Sequence, residues 1–212
     1  MSVKKILTIS KHEKILKTPS EPAKRIGKDI KQLIQDIKDT IDANPAVGLA
    51  APQIGVLKRV FGARLGYYDD QKDDDMAPPT IFINPEIVEQ SEAVERGFDA
   101  CLSIPGMFGY TDRNLKIKIR YLDEAGKKVE RDLEGWDARV FQHELDHLDG
   151  ILFLQRLPLE DLYVYVTDEE GNREPVPYLE IVNQASGPAE STKLPSTSAN
   201  KPGNRSLSER EQ

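Results

Sequence analysis

The sequence predicts a mixed chain in which helices and strands occupy separate blocks, and three observations predict it. Residues 24–44 repeat apolar side chains at a helical period, residues 59–133 break into short strands, and a helix returns near residue 135. In the first block Ile26, Ile30, Leu33, Ile34, Ile37 and Ile41 line one face, with Lys and Asp between them. Asn44-Pro45 ends that helix, because the residue before a proline is pushed out of the α region.

The strand block divides into candidates at 59–65, 80–84, 87–95, 115–122 and 128–133. From Leu115 to Tyr121 apolar and cationic residues alternate strictly, so one face is buried and the other wet. Asp123-Glu124-Ala125-Gly126 reads as a hairpin turn. The second helix starts at Gly135-Trp136 and runs to Leu148, with Gly150 as its stop. A last hairpin is expected over 163–178, turning at 169–172, and the polar stretch 183–212 is expected to be disordered. Asp69, Asp70, Asp73, Asp74 and Asp75 read as a solvated loop, because the spacing and closing Glu of a calcium loop are absent.

Composition removes several functions. A net charge of −7 disfavours direct nucleic-acid binding. No run of about 18 apolar residues offers a membrane helix, and the start carries no apolar stretch of a secretory signal. One cysteine cannot form an internal disulfide, and a thiolate donor is safest in a reducing compartment, so a cytoplasmic location is expected.

The most informative segment is Gln142-His143-Glu144-Leu145-Asp146-His147. Histidines four apart on a helix lie within about 40° of each other, so both can reach one metal ion. Glu144 is placed to handle a proton on a water at that metal. The chain has three histidines in all; His12 is solitary and expected to be exposed. Asp146 is turned about 60° from His143, as a support for a ligand or as a surface anchor.

Two imidazoles leave the metal short of donors. A downstream Glu160 or Glu169 is compatible with spacing, but nothing singles either out. Cys101, between an apolar run and a Pro-Gly turn, is the better candidate, giving an open Cys-His-His set. The small residues of Val47-Gly48-Leu49-Ala50-Ala51-Pro52-Gln53 suggest either a tight packing loop or a close ligand approach. Gln53 offers a neutral amide donor for an oxyanion. Trp136, Arg139 and Val140 share the His143 face, so Trp136 and Val140 form either an apolar wall beside the metal or ordinary core.

Three segments in this order, Ala46 to Gln53, Asp99-Ala100-Cys101-Leu102-Ser103 and Gln142 to His147, resemble the motifs of the peptide deformylase family. The likeness spans roughly residues 4–160. It implies an α+β fold, with bent antiparallel sheets packed around a central metal-binding helix and an N-terminal amphipathic helix. It implies a single deformylase-like catalytic domain over 1–182 and removal of the formyl group from the formyl-methionine of new polypeptides. Cys101, His143 and His147 become the ligands of one divalent ion, iron(II) foremost, with nickel or zinc as substitutes. Glu144 becomes the general acid/base, and Gln53 with the Leu102 N–H becomes the oxyanion pair. Val47, Gly48, Trp136 and Val140 become the substrate groove, with the peptide added as a strand beside Gly48. Expected partners are N-formylmethionyl nascent peptides and, transiently, the ribosome, although 183–212 is unlike the basic ribosome-contacting helix of many members. Monomer and dimer are both compatible with the sequence.

The motifs depart from the family at Ala46, Asp99 and Ala100. Asp99 is expected to pair with a cation such as Arg120. The rival readings are a zinc metallopeptidase and a catalytically silent deformylase-like binding protein.

Overall fold

The computed structural model describes residues 2–66 and 78–186, so the Asp-rich segment and the expected tail from 187 onward lie outside the described residues. The fold is α+β. Among the described residues, helices α1 (Ile9–Leu16), α2 (Lys28–Asp42), α3 (Gly135–Leu148) and α4 (Tyr178–Ser186) accompany nine strands. Strands β1 (Gly48–Ala50), β2 (Val60–Ala63), β3 (Thr80–Gln90), β6 (Lys116–Leu122) and β7 (Lys128–Glu134) form one antiparallel sheet in the order β1-β2-β3-β6-β7. Strands β4 (Val94–Ala100), β5 (Met107–Asn114), β8 (Leu162–Thr167) and β9 (Arg173–Pro177) form a second antiparallel sheet in that order.

The five-stranded sheet is covered on both faces at β2 and β3, which explains their unbroken apolar runs. Val60, Ile81 and Ile83 pack with Ile30, Leu33, Ile34, Ile37 and Ile41 of α2. Phe61, Phe82, Tyr121 and Phe141 form an aromatic cluster on the α3 side. Their centroids lie 4.6 to 5.3 Å apart in tilted or edge-on pairs. α3 therefore has one flank on this sheet, and its polar residues bond to β4 and β5 of the other.

Several boundaries differ from the sequence reading. The candidates 80–84 and 87–95 are one strand, β3, which continues through Asn84 at φ 50 and shifts register between Ile83 and Glu86. The left-handed Asn84 is held by its own side chain, which accepts from the Ala23 N–H and donates to the Ala23 carbonyl. β4 begins at Val94 instead, and β5 was not expected at all. The first long helix starts at Lys28 rather than 24, and α1 precedes it, interrupted at His12 (φ −135, ψ 28). His12, expected to be exposed, is half-buried, and its buried Nδ1 has no partner among the described residues. The last hairpin, β8–β9, forms as expected. Residues 183–186, expected to be disordered, belong to α4, a helix that contacts β8 and β9.

Candidate metal centre

α3 delivers both histidines, and the turn after β4 delivers the cysteine. Among the described residues the donor atoms of Cys101, His143 and His147 lie within 4.8 Å of one another. Cys101 Sγ is 3.2 Å from His147 Nε2, against a sulfur–nitrogen edge of about 3.5 Å in a tetrahedral site with usual bond lengths. His143 Nδ1 is 2.6 Å from Asp99 Oδ1, which leaves Nε2 as its ligating nitrogen. These donors fit a divalent ion of soft-to-borderline character.

The charges around the sulfur point the same way. Burial opposes ionisation of Cys101, but His147 and His143 outweigh it and hold the thiol down at about 5. Asp99 is also held below the usual carboxylate range; burial acts against this, and His143 and Arg113 overcome it. Burial likewise opposes a charged His143, yet Asp99 and Cys101 keep its pKa raised.

Arg113 is the centre of the support. Its Nε and Nη2 donate to Asp99 Oδ2 at 3.0 and 2.7 Å, and its Nη1 donates to Asp146 Oδ2 at 2.9 Å. Asp146 also accepts from Arg156. Asp146 is thus a buried anchor of α3 and not a surface residue. The expected Asp99–Arg120 pair does not form: Arg120 lies on the other sheet and binds Glu86 and Glu130 at the surface. Arg113 carries no sequence signal, because β5 itself carries none. Its inward positions, Thr111 and Arg113, are polar, so the strand shows no apolar alternation.

A cavity of about 520 Å³ opens beside the donors, lined by Cys101, His143 and Glu144 but not by His147. Glu144 is buried, its Oε2 has no hydrogen-bond partner among the described residues, and burial pushes its pKa up to about 7. Gly48 of the edge strand β1 lies so close that a Cβ there would fall 2.8 Å from Glu144 Cδ. The segment around Gly48 is therefore both packing loop and cavity wall.

Gln53 is 2% exposed; its Oε1 accepts from the Ala50 N–H, and its Nε2 reaches Ser103 Oγ at 3.2 Å and Cys101 Sγ at 3.4 Å. The Leu102 N–H has no acceptor among the described residues, and Leu102 lines the cavity. Val47, Trp136 and Val140 line it too, while Trp136 and Val140 also pack against the aromatic core. The cavity wall and the core thus share these two side chains. Glu160 is exposed on the 3-10 turn Leu159–Asp161 just before β8, and Glu169 lies in the β8–β9 turn; neither joins the donor cluster.

An open sulfur–nitrogen donor set facing a cavity with a buried carboxyl is the arrangement that metal-dependent hydrolysis requires. A family model described as polypeptide deformylase matches residues 3–162. The peptide deformylase of Pseudothermotoga lettingae is 39% identical over 156 residues, 74% of this chain and 84% of that protein. That of Phenylobacterium zucineum is 37% identical over 157 residues, 74% of this chain and 89% of the relative. The crystal structure of peptide deformylase from Thermotoga maritima superposes with a TM-score of 0.66 at 34% identity, covering 74% of this chain and 99% of that one. The chain belongs to the polypeptide deformylase family.

Proposed function

We propose that this chain hydrolyses the formyl amide of N-formylmethionyl polypeptides and releases formate, with Cys101, His143 and His147 holding one iron(II) ion. Nickel or zinc would substitute. The observation that carries the reading is the buried Glu144 carboxyl, with a raised pKa and a free oxygen, facing a cavity beside three convergent donors. The bound ion supplies the positive charge that makes a water in the open position acidic near neutral pH.

The protein's own groups do the rest. Glu144 takes the proton of the attacking water and passes it to the departing nitrogen, which cannot leave as an anion. The carbon–nitrogen bond breaks, and the formyl carbon leaves as formate with the water's oxygen. Gln53 Nε2 and the Leu102 N–H donate to the carbonyl oxygen as it gains charge. Val47, Trp136 and Val140 hold the methionine side chain against the cavity wall. The peptide backbone pairs with the outer edge of β1, a terminal strand of its sheet, beside Gly48. Main-chain pairing tolerates many sequences after methionine.

Residues 1–182 act as one catalytic domain on this reading. Contact with the ribosome is transient, since a net charge of −7 is repelled by ribosomal RNA. The cytoplasm is the working compartment, and no described helix is long and apolar enough to cross a membrane.

The test is formate release from formyl-Met-Ala-Ser by protein purified without oxygen, with metal counted on the same sample. About one ion per chain and steady release are expected. A fully loaded sample that releases no formate overturns the reading. Glu144→Ala is expected to keep its metal and lose about 10²–10⁴-fold in kcat.

A further inference from the structure

The family match stops at residue 162, yet the chain continues into β8–β9, and this hairpin reaches the cavity. Tyr165 and Arg173 line the cavity together with Phe98 of β4. The Tyr165 N–H donates to the Gly106 carbonyl at 2.8 Å, which ties the hairpin to the turn that begins at Cys101. Tyr165 and Arg173 are diagonal neighbours across β8 and β9, since Arg173 pairs with Thr167. The guanidinium carbon of Arg173 sits 4.9 Å from the centre of the Tyr165 ring. Behind them Phe108 stacks on Phe98 at 5.3 Å and meets Tyr165 at 4.8 Å.

The result is a continuous aromatic wall ending in a cation. Phe98 and Tyr165 remain 42% and 37% exposed, although each is large and apolar in body. Arg173 is exposed, and no carboxylate of the described residues pairs with it. Nothing in the hydrolysis itself uses these side chains. Exposed rings beside a cavity offer contact area to a chain leaving it, and an unpaired guanidinium at their end offers a charge to that chain.

We propose that the β8–β9 hairpin and Phe98 form a substrate-selecting lip that favours peptides with an acidic side chain a few residues after the formyl-methionine. This rests on the reading of the chain as a deformylase and adds a specificity element to it. The net charge of −7 opposes an acidic peptide at a distance, but salt screens that beyond about 8–10 Å, so the local contact decides.

The test uses metal-loaded full-length protein and C-amidated formyl-Met peptides. One is formyl-Met-Ala amide; the others are formyl-Met-Ala-Ala-Xaa and formyl-Met-Ala-Xaa amides with Glu or Lys at Xaa. The Glu peptide is expected to exceed the Lys peptide by about two- to five-fold in kcat/KM, carried mainly by KM, with the gap shrinking at high salt. Arg173→Gln should bring the ratio toward one, and Arg173→Lys should retain most of it. Tyr165→Leu should raise KM for the four-residue peptides more than for formyl-Met-Ala amide. A wild-type ratio of one at both positions, or a ratio that Arg173→Gln leaves unchanged, overturns the lip. In either case hydrolysis of formyl-Met-Ala amide leaves the deformylase reading standing. No hydrolysis of any peptide by loaded protein ends both.

Discussion

The two sheets of this protein are built alike, antiparallel and short-stranded, yet they carry different loads. The five-stranded sheet has helices on both faces of β2 and the first half of β3, and there its side chains are apolar in both directions, while β6 and β7 keep one wet face. The four-stranded sheet turns Thr111 and Arg113 inward and leaves Phe98, Tyr110, Tyr165 and Val166 exposed. The first is a platform whose stability comes from apolar burial. The second holds the cysteine turn, the carboxylate behind His143 and the outer cavity wall, so its sequence is set by charge and contact. α3 joins the two, with Phe141 on one and Asp146 on the other. Stability and chemistry are thereby separated onto different flanks of one helix.

The division between the sheets predicts unequal losses when a matched aromatic is emptied from each. Phe82 is fully buried among Phe61, Tyr121 and Phe141, and Phe82→Ala should cost about 3–5 kcal/mol. Phe108→Ala, whose ring faces half-exposed neighbours, should cost less. Urea unfolding of the two variants measures this, and equal losses would erase the distinction between the sheets. Gly48→Ala attacks the boundary instead. The added methyl displaces Glu144, so kcat should fall by about 10²-fold while metal content and unfolding midpoint barely change.

Asp99→Asn probes the charged flank. It keeps the size of the side chain but removes the negative charge facing His143 and Arg113. Metal affinity should weaken by about 10–100-fold, read by competition with a chelator. An unchanged affinity would make the Asp99 network a packing device only.

How much of this was legible in the sequence follows the same division. The α2 stripe and the β6 alternation were plain, because apolar burial writes a period into the chain. The donor set was plain because histidine spacing on a helix and a scarce cysteine are strong signals. β5 was hidden, since a strand whose inward residues are Thr and Arg has no apolar period. The unity of β3 was hidden by Asn84-Pro85, which reads as a break until the Ala23 backbone is seen to hold it. α1 is eight residues with a kink at His12, too short and broken to stand out without the contacts that bury Leu16. No sequence signal chooses among the cations open to Asp99, and only the sheet topology shows that Arg120 belongs to the other sheet while Arg113 faces Asp99 across β4 and β5.

Arg120→Ala is the smallest expected effect and tests that last point directly. Arg120 is 43% exposed and bridges Glu86 and Glu130 on the wet face of the five-stranded sheet. Exposed pairs of this kind contribute about 0–1 kcal/mol, because water screens them and two long side chains lose freedom. The unfolding midpoint should therefore move by only a few degrees, and metal affinity should not move at all. A measurable loss of metal would mean that charge on the platform sheet reaches the donor cluster. The separation of the two sheets would then fail at its weakest link, whereas a silent Arg120 leaves Arg113, buried on the other side of α3, as the cation that holds Asp99 in place.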